Sequence, residues 1–435
     1  MSAIRPERIT ALTEQPAPAA HFPTGVTATL PERLAIVLRQ RGLRAGPVLL
    51  LSDDRLTATG PPAADLTVVS GRISEAPRLI SAGDFGAVVL VAADTRPAHL
   101  EPLLAALAPL VPKEALLVIC TPATWEHGAP RAAGSARTLA ADEREALHLA
   151  LLRRGFHQVW AHTWRAAPCI SARRTGAVRA RRLCSIIVPV FNERTTFPEL
   201  MRALLAKRLD HLGLDREIVL IESNSTDGTR ELVAGFVGTP GVKVIWQDRP
   251  RGKGNAVRAG LAVARGDIVL IQDADLEYDL DDYEALLEPL LQERAAFVLG
   301  SRHSGTVRMR KFTDQRLLGA VLDTAHVFFT GVINVLYGQN LKDPFTMFKV
   351  FRGDCLYGLQ FECNRFDFDH ELVIKLVLKG YRPLEIPVNY CSRSFKQGKK
   401  IRFFRDPPTW IAADLRYRLR RLQPQFESDS PRGSS

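Results

Sequence analysis

The stretch DIVLIQDADLE, residues 267–277, sets a short apolar run directly before three carboxylates. Its first part, Asp267–Gln272, reads as a strand buried on both faces, the kind found in a parallel sheet covered by helices. Asp273, Asp275 and Glu277 follow at alternate positions just past the strand's end. Carboxylates crowded there repel one another unless a cation neutralises them. Hard oxygen ligands suit Mg²⁺ or Mn²⁺, either of which can hold a diphosphate. An exposed acidic turn accounts for one such aspartate and accounts poorly for all three.

Two further strands precede this one. Ser185–Val190 (SIIVPV) runs into Phe191, Asn192 and Glu193, with Thr195 or Thr196 suited to cap the helix that follows. Glu217–Ile221 runs into Glu222-Ser223-Asn224-Ser225-Thr226-Asp227-Gly228-Thr229. Polar loops past the carboxyl ends of adjacent parallel strands lie where open α/β sheets bind ligands, although Asn, Ser, Asp and Gly also make ordinary turns. Arg251-Gly252-Lys253-Gly254-Asn255-Ala256 then opens a helix continuing through Val257–Ala264. Its glycines would let the backbone approach a ligand, and a helix N-terminus beside Lys253 favours an anion.

Taken in order, P-V-F-N-E, S-N-S-T-D-G-T, G-K-G-N-A, D-A-D-L-E and Gly300-Ser301-Arg302 resemble the glycosyltransferase family 2 enzymes over residues 183–408. More narrowly they resemble the dolichol-phosphate mannosyltransferase and polyprenyl-phosphate glycosyltransferase branch. The resemblance implies a GT-A fold, a nucleotide-sugar donor and inversion at the anomeric carbon. It sets Pro189, Phe191 and Glu193 against base and ribose, with Glu222, Asp227, Lys253 and Ala274 in the same donor site. Asp273 and Asp275 would hold ribose, metal and diphosphate, and Glu277 would be a further metal ligand. Family members often show D-D-G-S where this chain has Glu222-Ser223-Asn224-Ser225, which leaves GDP and UDP both open. Lys342–Thr346, Phe366–Glu371, Tyr390–Arg393 and Gly398-Lys399-Lys400 also match that branch. Its acceptor is a lipid phosphate, already an anion, so the catalytic set implied is Asp275, Arg302, Arg393 and Lys399. Arg316 joins these basic residues in fixing phosphates through charge-assisted bonds. A soluble hydroxyl acceptor (sugar, peptide or metabolite) would instead require a carboxylate base, for which Asp343, Asp369 and Glu371 are the candidates.

The first half is plainer. Pro47–Ser52, Leu66–Ser70, Ala87–Ala92 and Ala115–Thr121 read as buried parallel strands, with helical segments such as Leu100–Leu107 between them. The organisation expected is a flexible lead at 1–30, a small α/β domain at 31–165, an Arg-rich linker at 166–182, the GT-A domain at 183–420 and a disordered tail at 421–435. The strand order weakly resembles a class I methyltransferase. The first strand, however, ends in Ser52-Asp53-Asp54-Arg55 rather than a glycine-rich turn, and such a bulky turn denies the close approach S-adenosylmethionine needs. Asp53 and Asp94 remain as ligand candidates there. A degenerate, packing domain is the expectation, and a methyltransferase with a sugar-binding appendage the distant alternative.

Six scattered cysteines without a C-x-x-C pair argue against zinc and disulfides and fit a reducing cytosol. The net charge of +11 suits phosphate-rich substrates or an anionic membrane surface. Basic residues do not alternate with stacking aromatics, so nucleic acid is not expected as a partner. Leu317–Leu336 is apolar but broken by Asp323, His326 and Asn334, which points to an amphipathic or core helix rather than a membrane span. Trp410–Leu422 reads as a basic helix with an apolar side, packed on the domain or lying on a membrane. The location expected is cytoplasmic, with peripheral contact at the cytoplasmic membrane face.

Overall fold

The computed structural model of the chain describes residues 38–39, 41, 43, 46–52, 66–81, 85–91, 97–120, 141–164, 167–174, 181–302, 316–391 and 415–419. The lead at 1–30, the tail at 421–435, Asp53, Asp94, Arg393 and Lys399 lie outside the described residues, as does the side chain of Arg316.

Two sheets organise these residues, and both are α/β as expected. The first is built from β1 (Gly46–Ser52), β2 (Leu66–Arg72), β3 (Ala87–Val91), β4 (Leu116–Cys120), β5 (Phe156–Trp164) and β6 (Ala167–Arg174), in the order β2-β1-β3-β4-β6-β5. β1 to β4 are parallel, as their continuous apolar runs require. β6 is antiparallel to both β4 and β5. It corrects the expected linker at 166–182. Cys169, Ile170, Ser171 and Ala172 are all buried, so small residues that read as linker pack into a crowded central strand.

The second sheet contains β7 (Arg182–Val190), β8 (Leu214–Glu222), β9 (Val242–Trp246), β10 (Ile268–Ile271), β11 (Phe297–Ser301), β12 (Lys349–Arg352) and β13 (Leu384–Pro387), in the order β13-β11-β12-β10-β7-β8-β9. β7, β8, β9 and β10 run parallel. β12 inserts antiparallel between β10 and β11, and β13 closes the far edge parallel to β11. The carboxyl ends of β7, β8 and β10 therefore open on one side of the sheet, at a point where the strand order turns back.

The helix Arg316–Tyr337 turns its polar residues inward. Asp323, His326 and Thr330 are buried, whereas Val327 and Phe328 are 51% and 61% exposed and Val335 is 85% exposed. Among the described residues no helix is long and apolar enough to cross a membrane.

The two sheets meet across a polar seam. His157 Nδ1 lies 2.8 Å from Asp354 Oδ2, and Glu293 pairs with Arg182 at 2.9 Å and receives Arg153 on its carbonyl at 2.8 Å. Lys379, at the end of the helix Asp367–Lys379, donates to the carbonyls of Cys355 and Tyr357 at 3.0 and 2.7 Å, with the rings of Trp160, Tyr357 and Tyr381 around it. His148 is fully buried against Tyr381.

Candidate active site

Each loop at the open end of the sheet carries a left-handed residue: Asn192 at φ 50°, Asn224 at φ 59° and Leu276 at φ 57°. Asparagine tolerates this conformation, but leucine does so at a cost of roughly 1–2 kcal/mol. The strained residue sits between Asp275 and Glu277 and turns the acidic loop back over the sheet.

The first two loops are laced together. Asn192 N donates to Ser225 Oγ at 2.9 Å, Thr226 N to Asn192 Oδ1 at 2.8 Å, and Glu193 N to Thr229 Oγ1 at 2.9 Å. Asp227 accepts from the amides of Arg194 and Thr229 at 3.2 and 3.0 Å. Burial alone would raise its carboxyl, but these bonds and the Thr229 hydroxyl hold it below the usual carboxylate range. Glu222 is fully buried, accepts from the amides of Asn224 and Ser225, and is paired with Arg230. Thr196 ties this edge to the acidic loop by donating to the Ala274 carbonyl at 2.8 Å and to Glu193 Oε2 at 3.0 Å. Pro189 and Phe191 are half-buried beside them.

Lys253 Nζ lies 2.5 Å from Asp273 Oδ1. Burial opposes its charge, yet Asp273, Asp369 and Asp275 outweigh that and hold the ammonium above its ordinary value. Lys253 thus sits in the field of three carboxylates, the third of which, Asp369, also meets Lys349 Nζ at 3.2 Å, so carboxylates outnumber ammonium groups here. The glycines flanking Lys253 serve a different purpose from the one expected. A Cβ on Gly252 would come within 2.4 Å of the Asn364 carbonyl, and one on Gly254 within 2.5 Å of Phe368 Cβ. They admit the chain itself rather than a ligand.

Glu277 Oε2 accepts from the Tyr390 hydroxyl at 2.7 Å, which ties the end of the acidic loop to the strand bridge beside it. Among the described residues no three His, Cys, Asp or Glu gather so as to hold a metal ion. The oxygen donors that fit a hard cation here are Asp273 and Asp275, both within the field of Lys253.

Two of the three base candidates are structural. Asp343 is fully buried, and Arg302 grips it through Nε at 2.8 Å and Nη2 at 2.7 Å, with His326 nearby at 3.6 Å. Burial would raise this carboxyl, and Arg302 drives it well below the usual range instead. The same grip commits the Arg302 guanidinium, whose face lies over the Tyr390 ring. Glu371, also fully buried, accepts from the Glu362 and Cys363 amides, Lys375 and the Tyr417 hydroxyl. Neither carboxylate offers an oxygen to an acceptor hydroxyl. Asp369 alone of the three stands at the site, 3.2 Å from Lys349 Nζ and within the field of Lys253. Thr196 was read from the sequence only as a helix cap and Tyr390 only as part of a family motif. Lys349 was not read at all, although it carried a signal as a lone cation in the apolar strand stretch MFKVF.

Residues 185–356 match the model of the glycosyl transferase family 2. This segment is a family 2 glycosyltransferase domain. Around it the chain is 27% identical over 222 residues to a dolichol-phosphate mannosyltransferase of Pyrococcus furiosus, covering 49% of this chain and 58% of the relative. It is 26% identical over 219 residues to an undecaprenyl-phosphate 4-deoxy-4-formamido-L-arabinose transferase of Edwardsiella ictaluri, covering 49% of this chain and 62% of the relative. The chain thus spans about three fifths of the length of these relatives. A solved mannosyl-3-phosphoglycerate synthase from Rubrobacter xylanophilus is 19% identical, with 55% of this chain and 72% of that one covered at a TM-score of 0.40. The matched residues hold the loops after β7, β8 and β10, with Lys253, Asp273 and Asp275, whereas Asp369, Glu371, Tyr390 and β13 follow the match in the chain.

Proposed function

We propose that this chain transfers a hexose, with inversion, from a GDP- or UDP-sugar to a polyprenyl phosphate at the cytoplasmic face of a membrane. The observation that carries this reading is the charge imbalance at the strand ends, where the carboxylates Asp273, Asp275 and Asp369 outnumber the ammonium groups of Lys253 and Lys349, with Lys253, Asp273 and Asp275 inside the family 2 match. The activities named for the two relatives support the choice of acceptor. Mg²⁺ or Mn²⁺ seated on Asp273 and Asp275 would neutralise charge on the leaving diphosphate. Lys253, at the start of its helix, adds a second positive charge for the phosphates. The laced loops at Glu193, Glu222 and Asp227 pre-form the wall against which base and ribose would lie. A phosphate acceptor is already a nucleophile, so no base is needed and the chain's task is to fix the approach. Arg302 is committed to Asp343, so phosphate positioning falls to Arg316, Arg393 and Lys399.

The decisive assay measures nucleotide release from a panel of GDP- and UDP-sugars with Mg²⁺ or Mn²⁺, with and without polyprenyl phosphate. Release stimulated by the lipid supports the reading; release with no donor of the panel refutes it. Release indifferent to the lipid favours the second reading, transfer to a soluble hydroxyl with Asp369 as base. Asp275→Asn should lower transfer by about 100-fold or more, ~2.7 kcal/mol of barrier, and full retained metal-dependent activity in that variant would remove Asp275 from the site. For the first sheet and its helices, which run on through β6 to residue 174, we propose a degenerate methyltransferase-like unit used for packing, which predicts no heat of binding when S-adenosylmethionine is titrated into the full chain.

A further inference from the structure

The helix Arg316–Tyr337 buries Phe329 and Ile333 together with Asp323, His326 and Thr330, yet turns a second apolar face outward. Its wheel places Val327, Phe328 and Val335 on one side with Thr324 and Gly331, and all five are exposed. A Cβ on Gly331 would meet nothing within 4 Å, so this face is open. The opposite side carries Asp323, His326 and Thr330 inward, where His326 meets the Lys342 carbonyl and the Asp343 carboxylate.

The short helix at 415–419 repeats the pattern. Tyr417 points inward, its hydroxyl 2.7 Å from Glu371 Oε1, while Leu415 and Leu419 face out at 47% and 84% exposure. Arg416 and Arg418, both exposed, flank that apolar pair. Both helices are moored to the same layer: His326 stacks edge-on against Phe345, Phe345 lies on His370, and the next residue, Glu371, holds Tyr417. Basic residues cluster in sequence at both places, Arg308, Arg310 and Lys311 ahead of the first helix and Arg420 and Arg421 after the second, in a chain of net charge +11.

Apolar ridges that project from polar-backed helices and are flanked by arginines match a surface that is apolar beneath and anionic above. We propose that the outer faces of Arg316–Tyr337 and of the 415–419 helix seat the protein on an anionic lipid bilayer, with Val327, Phe328, Val335, Leu415 and Leu419 entering the interface. The inference rests on the proposed function, in which the acceptor is borne by a lipid, but its test needs no catalysis.

The full chain is sedimented with vesicles of phosphatidylglycerol and phosphatidylcholine, and with phosphatidylcholine alone, at low and high salt. The wild type should pellet with the anionic vesicles and be released by salt. The variants Val327→Ser/Phe328→Ser/Val335→Ser and Leu415→Ser/Leu419→Ser, each checked for wild-type circular dichroism, should each lose partitioning by roughly tenfold or more. Wild-type protein left in the supernatant overturns the proposal, and so do variants that pellet like the wild type. Variants that change only the oligomeric mass in light scattering overturn it in favour of a second copy on this face. Vesicle binding without nucleotide release from any donor would refute the proposed function and leave the surface standing; lipid-stimulated release without vesicle binding would do the reverse.

Discussion

Arg302 and Asp343 show how a single pair can consume residues that read as catalytic. The guanidinium meets the carboxylate bidentately and the Arg302 amide adds a third bond at 2.9 Å. Removing one charge strands the other in the interior, so Asp343→Asn should destabilise the fold by about 3–5 kcal/mol, read in denaturant unfolding. Arg302→Lys should recover little of it, because an ammonium cannot reproduce the fork. At the seam, burial first, and then Lys379 and Arg144, push the His148 imidazole down from 6.5 to about 3. The folded state therefore prefers the neutral ring, and the stability His148 contributes is present above pH 6.5 and lost as pH falls toward 3. Melting temperatures recorded between pH 8 and pH 4 should fall more steeply for the wild type than for His148→Phe; parallel curves would exclude the histidine as the cause.

At the scale of elements, the helix Lys253–Val263 depends on having no side chains where it meets other parts of the fold. Gly260 rests on Ile187 and Ile221, and a Cβ there would come within 2.6 Å of the first. Gly254→Ala should force the helices Lys253–Val263 and Asp367–Lys379 apart, costing roughly 1–3 kcal/mol as overpacking does and weakening donor binding more than the same change at exposed Gly331. Isothermal titration with the nucleotide product, set beside thermal melts, separates the two effects. Much of this layer was legible beforehand. The apolar runs that became β7, β8 and β10 announced themselves by composition, and their polar sequels marked the loops, because a buried parallel strand and its open end are written within ten residues. What chain-local reading missed depends on distant partners. Nothing beside Glu277 tells of Tyr390, nothing near Gly252 tells of Asn364, and the small residues of β6 read as linker because only β4 and β5 make them a strand.

Across the whole molecule, the seam is wide enough in kinds of contact to couple the two sheets. His157 with Asp354, Glu293 with Arg153 and Arg182, and caged Lys379 draw on both. Calorimetry should show one cooperative transition for the wild type. Trp160→Ala, which opens the cage, should split it in two; a single unchanged peak would mean the sheets unfold together for other reasons. Among the described strands only β12 joins β10 to β11 and its neighbour β13. During synthesis the half-sheet bearing the acidic loop thus leaves the ribosome with its flank exposed, and it stays so until residues 349–352 emerge some eighty residues after β10. Over that interval the nascent chain presents an unpaired edge, and any pause between β11 and β12 is where a chaperone would find it.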